Sequence, residues 1–329
     1  MMDQLIKEFP QQLDEALEIG SNATLTKPEN PIHNVFVAGM GGSGIGANFV
    51  AELIRDECKV PFLIGKGYSA PGYVGKNTLV IASSYSGNTE ETLETFQQIL
   101  NSGAKIVVVS SGGKLIGLAK ENGLDFIQVP PGSPSPRACL GYSLVQQLFI
   151  LNKLGLISDT IIKDVQMASE LIKKEQEDIQ FRAERIAPML QNKIPVIYTT
   201  DRMEAVAVRF RQQVNENGKN LAWHHVIPEM NHNELVGWRA DYNQLAVLYF
   251  RNKDDYPRNQ VRMDINKEII SNYTTSIIEV YSKGQSLAER MLYFVHLGDW
   301  ISVNLAALKG IDAVEIKVID YLKSELGKV

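Results

Sequence analysis

Cysteine is nearly missing from this chain. Cys58 and Cys139 are the only two among 329 residues, they lie far apart, and neither belongs to a CxxC pair. That excludes a disulfide framework and fits a reducing cytoplasm. No apolar run approaches the roughly 18 residues expected of a membrane span. The opening Met1–Pro10 segment lacks the apolar core of a signal peptide. Basic stretches are also missing. Lys and Arg number 33 against 38 Asp and Glu, a net charge of −5, which argues against a nucleic-acid partner. The acidic balance favours solubility and says little about substrate. What remains is an ordinary globular composition, 44% hydrophobic and 22% charged. At roughly 100–200 residues per domain, the length predicts two domains.

The first half alternates strand and helix signals. Val35–Ala38 is a short apolar run ending in glycines and reads as a buried parallel strand. Ile45, Phe49, Leu53 and Ile54 then recur at helical spacing. Phe62–Ile64, Thr78–Ser83, Ile106–Val109 and Phe126–Val129 are further strand candidates. A helix is expected over 89–100, capped by Asn88, and a longer one over about 138–154. This alternation predicts a parallel sheet covered on both faces. The charge-rich stretch 159–185 reads as a solvated connecting helix, with the domain boundary near its start. The second half repeats the alternation more loosely. Its strands are expected at 196–198, 245–250 and 276–281, and its helices at 202–215, 257–271, 286–308 and 318–327. The halves share no short repeat.

Gly39-Met40-Gly41-Gly42-Ser43-Gly44 lies between the first strand and the helix after it, and satisfies G-x-G-x-x-G. Glycines let the backbone turn tightly and approach a ligand, while a helix N-terminus offers unpaired N–H donors to an anion. Ser43 adds a hydroxyl. A dinucleotide fold needs an acidic residue about 20 positions on to hold a ribose. The second strand ends instead in Ile64-Gly65-Lys66-Gly67-Tyr68, without a carboxylate. No Gly-Lys-Ser/Thr follows, which excludes a P-loop. Close packing of helix on strand would explain the glycines equally well.

The stretch Ser83-Ser84-Tyr85-Ser86-Gly87-Asn88-Thr89 also joins a strand end to a helix, with four Ser/Thr hydroxyls around one glycine. Hydroxyls and helix-terminal N–H groups can encircle a phosphate without a fixed cation. A turn with a cap requires one such residue, not four. Together the two loops resemble the sugar isomerase (SIS) domain, whose Ser/Thr-rich loop grips the phosphate of a phosphosugar. The likeness extends along the chain through Pro136-Arg137, Asn215-Glu216-Asn217, Asn231-His232-Asn233-Glu234 and Ile319-Asp320-Tyr321-Leu322-Lys323. The whole is most similar to the bifunctional phosphoglucose/phosphomannose isomerases. That resemblance implies an α/β fold of two doubly wound SIS-type domains, each a mostly parallel sheet flanked by helices. The domains are expected at 1–157, carrying the phosphate loops, and 158–329, contributing catalytic residues.

Aldose–ketose isomerisation needs an acid/base pair to open the ring, a carboxylate to move a proton between C2 and C1, and a cation to stabilise the enediolate. On composition alone Glu216 is a surface glutamate at a polar helix end; the resemblance makes it the base. Position 232 is a histidine, His232, a side-chain type that suits ring opening. The resemblance gives it that role, reaching into the neighbouring subunit's site of a homodimer. Lys323 by itself reads as a solvated lysine balancing a helix C-terminus. The resemblance has it assist ring opening. Arg137 lies at a helix N-terminus, unfavourable for a cation, and the resemblance assigns it to the enediolate. Gly42, Ser43, Ser84, Ser86 and Thr89 are the expected phosphate-binding residues.

The substrate so implied is a hexose 6-phosphate. Conventional glucose-phosphate isomerases carry a glutamine ahead of the lysine that crowds rotation about C2–C3. Val314–Val318 has none, which is consistent with both glucose and mannose 6-phosphate as substrates. No cofactor is expected. A metal site at His224, His225, Glu229 and Glu234 is the rival, but no HExxH or comparable spacing supports it. A non-catalytic sugar-phosphate sensor is the other, and the basic DNA-binding segment it would carry is missing.

Overall fold

The structure is a computed structural model that describes residues 1–328. In chain order its elements begin with helices α1 (Met2–Lys7) and α2 (Phe9–Asn22). Then come β1 (Asn34–Ala38), α3 (Gly41–Ile54), β2 (Phe62–Gly65), β3 (Thr78–Ser83), α4 (Glu90–Ile99), β4 (Lys105–Ser110), α5 (Gly113–Glu121), β5 (Asp125–Gln128), α6 (Leu140–Lys153) and α7 (Thr160–Leu190). The remainder is β6 (Ile194–Thr200), α8 (Glu204–Glu216), β7 (Trp223–Ile227), β8 (Leu245–Arg251), α9 (Pro257–Ile270), β9 (Ile277–Tyr281), α10 (Leu287–Lys309) and α11 (Lys317–Leu326). Contacts divide the chain into two compact units. One comprises Lys7–Lys174 with Gly284–Arg290, the other Met1–Ile6, Glu175–Lys283 and the chain from Met291.

The first unit is built on a five-stranded sheet of order β2-β1-β3-β4-β5. All four pairings are parallel, as the apolar runs predict. β3 is buried along its whole length, as expected of a strand covered on both faces. Phe36, Val80 and Val108 point to one face, where Phe96 and Ile99 of α4 and Leu115 and Ile116 of α5 complete a core. Helices α3 and α6 pack together, and α2 covers α6. Each fully buried Val, Leu or Ile contributes about 1.5–3 kcal/mol.

The second unit has a four-stranded, wholly parallel sheet of order β7-β6-β8-β9. Tyr198 and Tyr249 pack with Met263 and Ile270 of α9 on one face. On the other, Phe250 sits between Phe210 of α8 and Phe294 of α10, with ring centroids 5.4 and 4.6 Å away. α10 is long and apolar enough to cross a membrane by length and composition, but 72% of its most apolar stretch is buried, as in a core helix.

Some local readings change. Thr89, not Asn88, takes the extended N-cap position of α4. The Asn88 carboxamide oxygen instead accepts the backbone N–H of Lys114, in the first turn of α5, at 3.0 Å. Asn88 therefore caps the neighbouring helix. The connecting helix runs to Leu190 and carries Pro188 in its last turn. Arg137 lies in a 3-10 turn over Pro136–Ala138, ahead of α6, and so does not open that helix itself.

Candidate active site

The order 2-1-3-4-5 places the topological switch point between β1 and β3, the crevice where open α/β sheets bind ligands beyond their strands' carboxyl ends. Both loops singled out in the sequence emerge there. Gly39 follows β1, and its N–H donates to the Gly65 carbonyl at 3.2 Å. A Cβ on Gly39 would lie 2.9 Å from the Ser83 carbonyl, so the two strand ends approach closely. A Cβ on Gly44 would lie 2.6 Å from the Gly39 carbonyl. The packing explanation for these glycines therefore holds for Gly39 and Gly44. Gly41 differs: its φ is +49° and nothing lies within 4 Å of a Cβ there. Ser43 is buried in the first turn of α3, and its carbonyl accepts the Ser143 hydroxyl at 3.3 Å.

The second turn is wound around Ser84. Its Oγ lies 2.8 Å from Thr89 Oγ1 and accepts the Gly87 N–H at 3.1 Å. Ser86 is exposed, and its hydroxyl accepts the Asn88 N–H at 3.2 Å. Ser84 and Thr89 thus form a preorganised hydroxyl pair beside the N-terminus of α4, where N–H groups await an acceptor. Tyr85 ties this turn to the proline-rich segment. Its hydroxyl donates to the Pro130 carbonyl at 2.9 Å and accepts the Ser133 N–H at 3.1 Å. Burial pushes the phenol up to about 12, so it stays neutral near pH 7. That segment leads into Pro136, whose carbonyl would be 3.4 Å from a Cβ on Gly42, and into buried Arg137. Gly42, Ser43, Ser84, Thr89 and Arg137 therefore lie on turns and a helix start within one unit.

Sequence reasoning missed the brace behind this site. Ser110-Ser111-Gly112-Gly113 begins at the last residue of β4, and the Ser111 N–H and hydroxyl both donate to the Tyr85 carbonyl, at 2.9 and 2.6 Å. Leu115 N–H donates to the Gly87 carbonyl at 3.0 Å. A Ser-Ser-Gly-Gly run after a strand was the available signal. Ser135, also not singled out, is buried with no hydrogen-bond partner for its hydroxyl.

Glu216, His232 and Lys323 all belong to the second unit. Glu216 is the last residue of α8 and half-buried. α8 is fixed to α10 by the buried Arg209–Asp299 ion pair at 2.9 Å and by Asn217 Nδ2 donating to Ser302 Oγ at 2.9 Å. His232 is exposed, at the end of a 3-10 turn over Glu229–His232. Flanking residues pin that turn: Asn231 donates to Asn266 Oδ1 at 2.9 Å, and Asn233 donates to Glu229 Oε1 at 3.0 Å. The Glu234 carboxylate accepts both the Tyr198 hydroxyl and the Trp223 indole N–H. Burial, and then Glu234 itself, push the Tyr198 phenol well above its usual range. Lys323 is exposed on α11. The rival metal ligands do not gather. His224 and His225 are successive residues of β7 and so point to opposite faces. Among the described residues no three His, Cys, Asp or Glu side chains cluster suitably for a metal ion.

Known proteins now bear on this geometry. A profile described as the bacterial phospho-glucose isomerase C-terminal SIS domain matches residues 179–326. The bifunctional phosphoglucose/phosphomannose isomerase of Caldicellulosiruptor bescii is 38% identical over 100% of this chain and 99% of its own. That of Aquifex aeolicus is 36% identical over 92% of this chain and 93% of its own. This chain belongs to the bifunctional phosphoglucose/phosphomannose isomerase family. Among solved structures, the C-terminal domain of glucosamine-fructose-6-phosphate aminotransferase from Francisella tularensis aligns over 95% of this chain and 97% of that one, with a TM-score of 0.77 at 15% identity. At that identity the likeness speaks for the fold, and it agrees with two parallel SIS-type sheets. Family membership also gives a context to the hydroxyl-rich turn at the switch point, which the glycine loop alone left open between a dinucleotide and a phosphosugar.

Proposed function

We propose that this chain interconverts glucose 6-phosphate and mannose 6-phosphate with fructose 6-phosphate, as an aldose–ketose isomerase working through an enediolate. The observation that carries the reading is end-to-end identity of 38% to a bifunctional isomerase. The Ser84–Thr89 hydroxyl pair at the switch point supports it.

The roles are those that the family resemblance implies. Ser84, Ser86 and Thr89, with Gly42 and Ser43, hold the phosphate through hydroxyls and helix-terminal N–H groups. His232 and Lys323 open the ring by moving a proton between the ring oxygen and the anomeric hydroxyl. Glu216 takes the proton from C2, leaving an enediolate, and returns it to C1, while the C2 hydroxyl proton passes to the C1 oxygen and the C2 oxygen becomes the ketone. Arg137 offsets the negative charge that develops on the enediolate oxygens. Rotation about C2–C3 presents either face of C2 to Glu216, and both epimers then react. The division into a phosphate-holding domain over 1–157 and a catalytic domain over 158–329 belongs to the same proposal. So do a cytoplasmic location and a homodimer in which His232 serves the partner's site.

The test is fructose 6-phosphate formation from both hexose phosphates, with and without EDTA, for the wild type and Glu216→Gln. Turnover of both substrates is expected, unchanged by EDTA and lost in Glu216→Gln. A folded protein that binds sugar phosphate without turning it over would sink the enzyme reading. Loss of activity in EDTA would revive the metal site, and near-normal turnover by Glu216→Gln would remove the base.

A further inference from the structure

Helix α8 ends at Glu216, and the last carbonyls of a helix have no donors within it. The chain then turns through Asn217 and Gly218 into Lys219, whose φ is +46°. That left-handed region favours glycine, so a lysine there acts against its own backbone preference. Its ammonium supplies the compensation. Lys219 Nζ donates to the carbonyl of Glu216, to that of Glu315 at 2.7 Å and to that of Ala313 at 3.5 Å. The first carbonyl closes α8. The other two belong to the loop that delivers the chain into α11 at Lys317. Lys323 lies six residues further on, roughly 9 Å along the helix axis at 1.5 Å per residue.

One side chain therefore bonds both the proposed base's own backbone and the approach to the proposed ring-opening lysine. Packing does little to place α11, since none of its ten residues is buried. The α8 end of the link is rigid by contrast. Asn217 is fully buried against Ser302, and Lys309 Nζ donates to the Gly218 carbonyl at 2.9 Å. A compact ammonium with three donors suits three carbonyls converging on one point.

We infer that Lys219 is a positioning residue for the isomerisation, its ammonium setting where α11, and so Lys323, stands relative to Glu216. This rests on the roles proposed above for Glu216 and Lys323. Lys219→Gly suits the left-handed backbone and removes the side chain with its ammonium, whereas Lys219→Arg keeps a cation and its donors. The measurements are kcat and KM for fructose 6-phosphate, the thermal midpoint, and amide hydrogen exchange of residues 317–326 in the full-length protein.

For Lys219→Gly, kcat is expected to fall roughly ten- to hundredfold, as for a misplacement of about 1 Å. KM should hardly change, because other residues carry the phosphate, and exchange in α11 should quicken. Lys219→Arg should recover most of the lost turnover. Unchanged kcat in Lys219→Gly overturns the inference. So does a fall in kcat without faster exchange in α11, or one that merely tracks a lower thermal midpoint. Glu216→Gln, measured alongside, separates the two levels. If it turns over normally, the role of Glu216 fails, and unchanged α11 exchange in Lys219→Gly would still refute the link. If it is dead while Lys219→Gly keeps its kcat, only the link fails.

Discussion

Gly87 is the position at which the Ser84–Thr89 turn has least room for a side chain. Its φ is +68°, and a Cβ there would lie 1.8 Å from the Gly112 carbonyl oxygen and 2.8 Å from Ser110 Oγ. Two costs follow from Gly87→Ala. The left-handed backbone alone costs alanine about 1–2 kcal/mol. Ordinary contact begins near 3.4 Å, so the two turns must also part by roughly 1.6 Å. Parting them stretches Leu115 N–H to the Gly87 carbonyl and both Ser111 bonds to Tyr85, each worth about 0.5–1.5 kcal/mol. The sum is about 2.5–6.5 kcal/mol, or roughly 5–25 °C in the thermal midpoint of a unit this size. The same movement displaces Ser84 and Thr89, so affinity for inorganic phosphate should fall by up to about a hundredfold. Calorimetric titration with phosphate and scanning calorimetry read the two effects. The control is Gly123→Ala: φ is +63°, but nothing lies within 4 Å of its Cβ. It should cost only the backbone term and leave phosphate affinity alone. A Gly87→Ala variant indistinguishable from Gly123→Ala in both measurements refutes the reasoning.

Three further outcomes are expected. Tyr198→Phe removes a buried donor to Glu234, so it should cost about 1–3 kcal/mol and lower kcat, which thermal unfolding and steady-state rates check. Asp299→Asn leaves the Arg209 charge buried without its carboxylate and should destabilise the protein by about 3–5 kcal/mol in urea unfolding. Burial holds the His296 imidazole down at about 3, and its Nε2 accepts the Trp300 indole N–H at 3.2 Å. The unfolded chain therefore binds a proton that the folded one refuses. Stability is full above about pH 6.5 and falls below it by up to about 1.4 kcal/mol per pH unit. His296→Leu should flatten that slope by about one proton between pH 6.5 and 4.5, and equal slopes in the two proteins would contradict it.

The sequence made the central strands visible because β1, β3 and β4 are near-continuous apolar runs, and burial on both faces demands that pattern. β7 escaped because Trp223-His224-His225-Val226-Ile227 is a half-buried edge strand with mixed side chains. α2 escaped although Phe9, Leu13, Ala16 and Gly20 repeat at helical spacing along its buried face. Asn88 was assigned to the wrong helix because a cap is read locally, whereas its carboxamide reaches across to α5. The Gly39–Gly44 and Ser84–Thr89 loops are legible because glycines and hydroxyls are concentrated within a few residues of a strand end. Lys219 was not, because its carbonyl partners at Ala313 and Glu315 lie 94 and 96 positions away. Local patterns disclose what a loop can hold, and long-range hydrogen bonds determine what holds the loop.

The two sheets share a topology but not a binding chemistry. In the second unit the order β7-β6-β8-β9 again leaves a switch point, between β6 and β8. β6 ends there in Thr200, and the segment after β8 brings in Asp255. The Asp255 carboxyl is buried, accepts the Thr200 hydroxyl at 2.7 Å and accepts the Asn252 N–H at 3.2 Å. Burial raises its affinity for a proton, and the Thr200 bond works against that rise. A hydroxyl and a backbone N–H, the two donor types proposed to hold the phosphate in the first unit, are thus already engaged by an internal acceptor. A phosphate brought there would meet a carboxyl group in its place and lose both donors. The first unit's crevice is bordered instead by Gly39–Gly44 and Ser84–Thr89, stretches without a single carboxylate. On the proposed reading, the loop at the second switch point supplies its own negative charge, and the loop at the first leaves that place to the phosphate of the substrate.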